Sequence, residues 1–145
     1  DDVVIWFDAY DIIFQGTGTE LLDRYLEVER RTGRTLLINA ETENSYPERE
    51  ADFPQTDSVY RFLNGGVLIG RSRTLRDMFK DPWPSVIRDR KGRLQELQNK
   101  YTDWFLDNQD KAMLDSHCEI IQAVWAVDPV FWASDLAPEA RTQRG

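Results

Sequence analysis

An α/β fold is predicted by three observations. An apolar, β-branched and aromatic run opens the chain (Val3-Val4-Ile5-Trp6-Phe7) and is broken by Asp8 and Asp11; an amphipathic helical stretch follows it; and a second apolar run, Thr35 to Ala40, follows the helix. Strand, helix, strand in that order implies a right-handed parallel crossover. A run as apolar as Val3–Phe7 reads as a strand buried on both faces, in the middle of a parallel sheet. An ionised carboxylate cannot stay unpaired there, so the strand is expected to end at Phe7. Asp8 and Asp11 then fall on the turn at its carboxyl end, the edge where open α/β sheets bind ligands. Two carboxylates so close repel unless a cation lies between them, and hard oxygen donors suit Mg²⁺ or Mn²⁺. An acidic turn with one Asp capping the next backbone segment would explain the same residues.

After Phe14, Gln15-Gly16-Thr17-Gly18 reads as a turn, with Thr17 or Thr19 able to cap the helix. Leu21, Leu22, Tyr25, Leu26 and Val28 share a helical face, and Gly33 is placed to stop it. Residues 41–60 are polar and aperiodic, with Pro47 and Pro54, and predict a long loop in which Tyr46 and Phe53 either pin it to the core or act as lid contacts. Gly65-Gly66 permits close backbone approach, and Val67 to Ile69 reads as a strand. A short helix is expected over Ser72–Phe79, with Leu75, Met78 and Phe79 inward, and Pro82 and Pro84 break the chain around Trp83. Leu94, Leu97, Tyr101 and Trp104 or Phe105 predict a second amphipathic helix from Arg93 to Leu106. Ala112–Leu114 and Glu119–Gln122 read as short strands, and residues 128–145 as a tail after a domain of 1–127.

With 145 residues, 41% hydrophobic content, seven Phe, five Tyr and five Trp, the chain can fill one sizeable core. A net charge of −8 argues against a broad nucleic-acid surface. The lone Cys118 cannot form an internal disulfide and is expected as a small buried hydrophobe. No apolar run approaches the roughly 20 residues of a membrane span, and no signal peptide is visible. Because the chain opens directly on what reads as a central strand, an upstream part of the domain is expected to be missing.

The order and spacing of several short pieces resemble the glycosyltransferase domain of the procollagen lysyl hydroxylases and related collagen-modifying glycosyltransferases. The pieces are Asp8-Ala9-Tyr10-Asp11-Ile12-Ile13-Phe14 after an apolar strand, Asn39-Ala40-Glu41 with Tyr46-Pro47, Phe62-Leu63-Asn64-Gly65-Gly66 leading into Leu68-Ile69-Gly70, Tyr101-Thr102 with Leu106-Asp107, and Leu114-Asp115 with Cys118, Ile120 and Gln122. They cover residues 2 to about 123. The resemblance implies a GT-A-like, Rossmann-like mixed sheet flanked by helices, incomplete at its N-terminal side. It further implies Mn²⁺ (or Mg²⁺), a UDP-sugar donor, a hydroxyl-bearing acceptor and the lumen of the secretory pathway. Carried over by position, Asp8 and Asp11 correspond to the metal-holding pair, and Tyr10 to the aromatic that contacts the nucleoside. Asn64, Gly65 and Gly66 would line the sugar pocket, with Glu41 and Tyr46 facing the acceptor.

The chain differs from the family pattern at three points. Where the family has a metal-binding His directly after the Leu-Asp pair, this chain has Ser116, and its single His, His117, comes one residue later. The family's acidic pair before Tyr101-Thr102 is replaced by Glu96-Leu97-Gln98, which leaves Glu96 as the candidate acceptor-positioning carboxylate. The third is the missing upstream half. Two other functions are therefore carried alongside a UDP-hexosyltransferase. One is a catalytically lapsed homologue that binds a nucleotide-sugar or a protein. The other is a haloacid-dehalogenase-like phosphotransferase, which also sets an Asp after an apolar strand but normally has its second Asp where Tyr10 stands.

Overall fold

The computed structural model describes residues 1–8, 12–80 and 97–123. In chain order its elements are β1 (Val3–Phe7), α1 (Gly18–Thr32), β2 (Leu36–Glu41), a 3-10 helix (Pro47–Asp52), β3 (Phe62–Arg71), α2 (Ser72–Met78), α3 (Leu97–Asp107) and β4 (Ala112–Leu114). The strands form one mixed sheet in the order β1-β3-β2-β4, so the α/β class with helices against a mixed sheet is what this sequence adopts.

β2 shows why the sheet must be covered on both sides: every residue from Leu36 to Glu41 is buried. Leu36, Ile38 and Ala40 pack with Leu75 and Met78 of α2 and with Tyr101 and Phe105 of α3. Leu37 faces the other way, with Ile69, onto Tyr25 and Val28 of α1. The period of two in the strand thus splits the core into two clusters.

β1 stops at Phe7 as its composition predicts, but it is not the centre of a parallel sheet. It runs antiparallel to β3 and is the outer strand among the described residues, leaving Val4 39% and Phe7 44% exposed. Apolar, β-branched composition reports how much surface a strand can cover; it carries no information on which strand lies beside it. The expected crossover is likewise modified. β1 and β2 do run parallel, since each is antiparallel to β3, but β3 lies between them.

α1 begins with a capping box. Thr17 Oγ1 accepts the Glu20 N–H at 3.2 Å, while the Glu20 carboxylate accepts the Thr17 N–H at 2.8 Å. It ends at Gly33, whose left-handed φ of 71° sends its N–H to the Glu29 carbonyl. Its buried stripe follows Leu21, Tyr25 and Val28, so Leu22 and Leu26, each about 100° further round, lie exposed on its flank rather than inward. In the long loop Phe53 is buried and pins the 3-10 helix to the core against Phe62 and Phe105.

Residues 119–122 form no strand. The N–H groups of Glu119, Ile120 and Ile121, which a ladder would need, are all taken by the Asp115 carboxylate. Cys118 is only half-buried, and its φ of 52° is left-handed, a conformation set by the turn that Asp115 organises. The stretches around Trp83, Arg93–Glu96 and residues 124–145 lie outside the described residues. No described helix is long and apolar enough to cross a membrane.

Candidate functional site at the sheet rim

Because β1, β2 and β4 run in one direction and β3 in the other, the carboxyl ends of three strands and the start of the fourth make a single rim. Asp8 follows β1, Glu41 ends β2, Asn64-Gly65-Gly66 lie near the start of β3, and Asp115 follows β4. Crevices outside the carboxyl ends of strands are where open α/β sheets bind ligands.

At this rim the β2–β3 ladder opens. Ile38 faces Leu68 and Ala40 faces Leu63, which leaves Asn39 alone opposite Asn64–Val67. Such a bulge turns backbone groups out of the ladder, and bulges recur beside active sites. Here the Gly66 N–H turns to its neighbour Asn64 Oδ1 at 2.9 Å and the Gly65 N–H to Gln98 Oε1 at 3.3 Å, while the Gly66 carbonyl accepts the Asp8 N–H at 3.0 Å. A Cβ at 65 would stand 2.7 Å from the Tyr101 ring, so any larger residue must displace one or the other.

A network of side-chain amides fills the bulge. Glu41, only 8% exposed, accepts from Asn64 Nδ2 at 3.0 Å on one oxygen and from Gln98 Nε2 at 2.6 Å on the other. Asn64 Oδ1 also accepts from Asn39 Nδ2 at 3.1 Å, whereas the buried Oδ1 of Asn39 has no partner among the described residues. Burial raises the Glu41 carboxyl above the ordinary value, opposed by the two amide donors and reinforced by the charge of Glu43. A carboxylate held this way retains lone pairs that can accept from a hydroxyl.

Asp8 is exposed on the rim, and burial together with the Asp8 charge pushes the Tyr101 phenol up to about 12. An exposed carboxylate offers one hard oxygen donor of the kind Mn²⁺ or Mg²⁺ takes. Its expected partner Asp11 lies outside the described residues, as do Tyr10 and Glu96. Among the described residues no three of His, Cys, Asp or Glu converge. His117 is exposed on the loop after β4, with Nε2 3.6 Å from Asp57, and segments 57–60 and 116–118 enclose a shallow depression of about 290 Å³. Tyr46 is half-buried at the start of the 3-10 helix, its phenol raised by burial and by the charge of Asp103 on α3.

The sequence-predicted residues Glu41, Asn64, Gly65 and Gly66 thus come together, with Asp8 beside them. Asn39, Ser45 and Gln98 complete the cluster and were not anticipated. Asn39 carried a visible signal, a carboxamide in the middle of an otherwise apolar strand. Gln98 lies one helical turn before Tyr101, on the face of α3 that meets the sheet.

Three comparisons bear on this rim. Residues 1–132 match the family described as the PLOD GT domain. The chain is 30% identical over 128 residues to procollagen-lysine,2-oxoglutarate 5-dioxygenase 1 of Rattus norvegicus, covering 84% of this chain and 16% of that one. It is 32% identical over 82 residues to the multifunctional procollagen lysine hydroxylase and glycosyltransferase LH3 of Homo sapiens, covering 55% of this chain and 10% of the other. The chain therefore spans less than a fifth of the length of these relatives.

Proposed function

This chain belongs to the PLOD GT domain family, and from that premise we propose that it is the DxD-type part of a metal-dependent glycosyltransferase. It transfers a hexose from a UDP-sugar to a hydroxyl acceptor. The observation that supports this reading best is the rim itself: an exposed carboxylate, a glycine bulge and a buried acid held by amides, all at the carboxyl edge of the sheet. Asp8, with Asp11, would hold Mn²⁺ or Mg²⁺, and Tyr10 would contact the nucleoside. A bound ion supplies positive charge toward the departing diphosphate.

The chain's own residues do the rest. Asn64 and the Gly65-Gly66 backbone line the sugar, and Glu41, with Tyr46 at the loop edge, accepts the hydrogen bond of the acceptor hydroxyl and orients it. Glu96 stays a candidate for the same task. His117, whose Nε2 lies 3.6 Å from Asp57, stays a further candidate ligand. The family match supports the transferase over the haloacid-dehalogenase-like reading. The lapsed homologue is kept apart by experiment, and a secretory-pathway lumen goes with the transferase reading.

Calorimetric titration of UDP into the full chain, with and without Mn²⁺, tests the proposal. Binding should require the ion and weaken by about tenfold or more in Asp8→Asn and in Asp11→Asn. Binding without donor turnover would point to the lapsed homologue; no Mn²⁺-dependent binding even in a longer chain that carries the upstream part would remove both.

A further inference from the structure

Gln98 uses every hydrogen-bonding atom of its carboxamide within the rim. Nε2 donates to Glu41 at 2.6 Å and to Ser45 Oγ at 2.9 Å, and Oε1 accepts the Gly65 N–H at 3.3 Å. One side chain therefore ties the first turn of α3 to the end of β2, to the loop beyond it and to the β3 bulge. One turn on, Tyr101 presses its ring against Gly65, so the same helix grips that residue by a polar and an apolar contact.

We propose that Gln98 is the positioning residue of this site: it fixes the Glu41 carboxylate and the Gly65 bulge in one arrangement, so that the remaining Glu41 lone pairs face a ligand hydroxyl. That a sugar acceptor supplies the hydroxyl rests on the transferase reading; the positioning itself does not. No other residue of similar size does this. A glutamate could still accept from Gly65, but it would set a second carboxylate against Glu41 with no donor between them. Two acids that close share a proton. Leucine would fill the space and leave both the Gly65 N–H and one Glu41 oxygen without their side-chain partner.

The test follows the Glu41 carboxyl by carbon NMR and the Gly65 amide by hydrogen exchange in the full chain, for the native protein, Gln98→Glu and Gln98→Leu. Gln98→Glu, nearly isosteric, should raise the Glu41 midpoint by about one pH unit or more. Gln98→Leu should raise it less and speed Gly65 exchange about tenfold or more. Gln98→Asn, one methylene short, should restore neither fully.

If the midpoint and the exchange rate stay at native values in both variants, Gln98 holds nothing in place and the inference falls. If they move but a longer chain that carries the upstream part binds no UDP with Mn²⁺, the transferase reading falls and the positioning role stands.

Discussion

The two ends of the sheet handle polar groups in opposite ways. At the end away from the rim, the ladder is regular, Leu36 opposite Gly70, and charge meets opposite charge: Arg71 holds the Glu29 carboxylate at 2.8 and 2.5 Å. Tyr25 donates to the Thr35 carbonyl, and the Arg71 N–H returns to that same carbonyl. At the rim the ladder is broken, the buried acid Glu41 is met by neutral amides, and Asn39 keeps an acceptor unmatched among the described residues. Satisfied ion pairs and an unbroken ladder suit an end whose task is to stay closed. An unmatched acceptor and a bulge suit an end left open to a ligand.

Glycine substitutions at the two ends should separate these tasks most sharply. A Cβ at Gly70 would stand 2.6 Å from the Thr35 carbonyl oxygen and 3.0 Å from Leu36 Cα, both backbone. Neither can move without opening the ladder, so Gly70→Ala is expected to cost about 3 kcal/mol in denaturant unfolding. At Gly65 the obstacle is the buried Tyr101 ring, a side chain rather than backbone. Gly65→Ala should cost about 1 kcal/mol yet disturb the Gln98–Gly65 contact, read as faster amide exchange. Equal costs at both positions would erase the distinction.

Asp115 borders the rim but behaves like the closed end. It is 2% exposed, and its carboxylate accepts from Glu119 at 2.8 Å, Ile120 at 2.8 Å and Ile121 at 2.7 Å. Asp115→Asn puts an N–H against at least one of these donors and should cost about 2 kcal/mol. Loss of the loop should loosen the Ser58 hydroxyl to Ser116 carbonyl bond and the His117–Asp57 contact with it. A stable Asp115→Asn protein with an unchanged loop would mean that the three amides find other acceptors.

How much of this was legible depended on whether the determinant lay in one segment or between two. The Thr17 and Gly33 caps, the stop of β1 at Phe7 and the short β4 all follow from local residues, and the sequence reading matched them. The bulge does not belong to either strand. It is a mismatch between the register near Leu68 and that near Leu63, and Gly65-Gly66 announced only that something would come close. The insertion of β3 between β1 and β2 was hidden for the same reason. Gln98 carries no charge to mark it, and its three bonds run to Glu41, Ser45 and Gly65, all more than thirty positions away in the chain. Residues 119–122 read as a strand because their apolar character was visible, whereas the Asp115 bonds that absorb their amides were not.

The smallest expected effect, and the one that touches both ends at once, is the response to acid. The Arg71 hydrogen bond holds the Glu29 carboxyl below its ordinary value, against a smaller opposing effect of burial. An acid depressed on folding adds stability above its unfolded value, and that stability is lost as pH falls through the folded one. Glu41 has the opposite sign. Its folded value is raised by burial, so its ionisation opposes folding near neutrality, and that opposition fades as pH falls through the folded value toward the unfolded one near 4.5. Acidification should therefore relieve the rim first and release the closed end afterwards, at pH below about 4.5. In Glu29→Gln, neutral stability should fall by about 1 kcal/mol and the loss below that pH should shrink, leaving the Glu41 relief in place. Denaturant midpoints measured across that range in the native and variant proteins check this; parallel curves would show that the Arg71–Glu29 pair does not set the acid response.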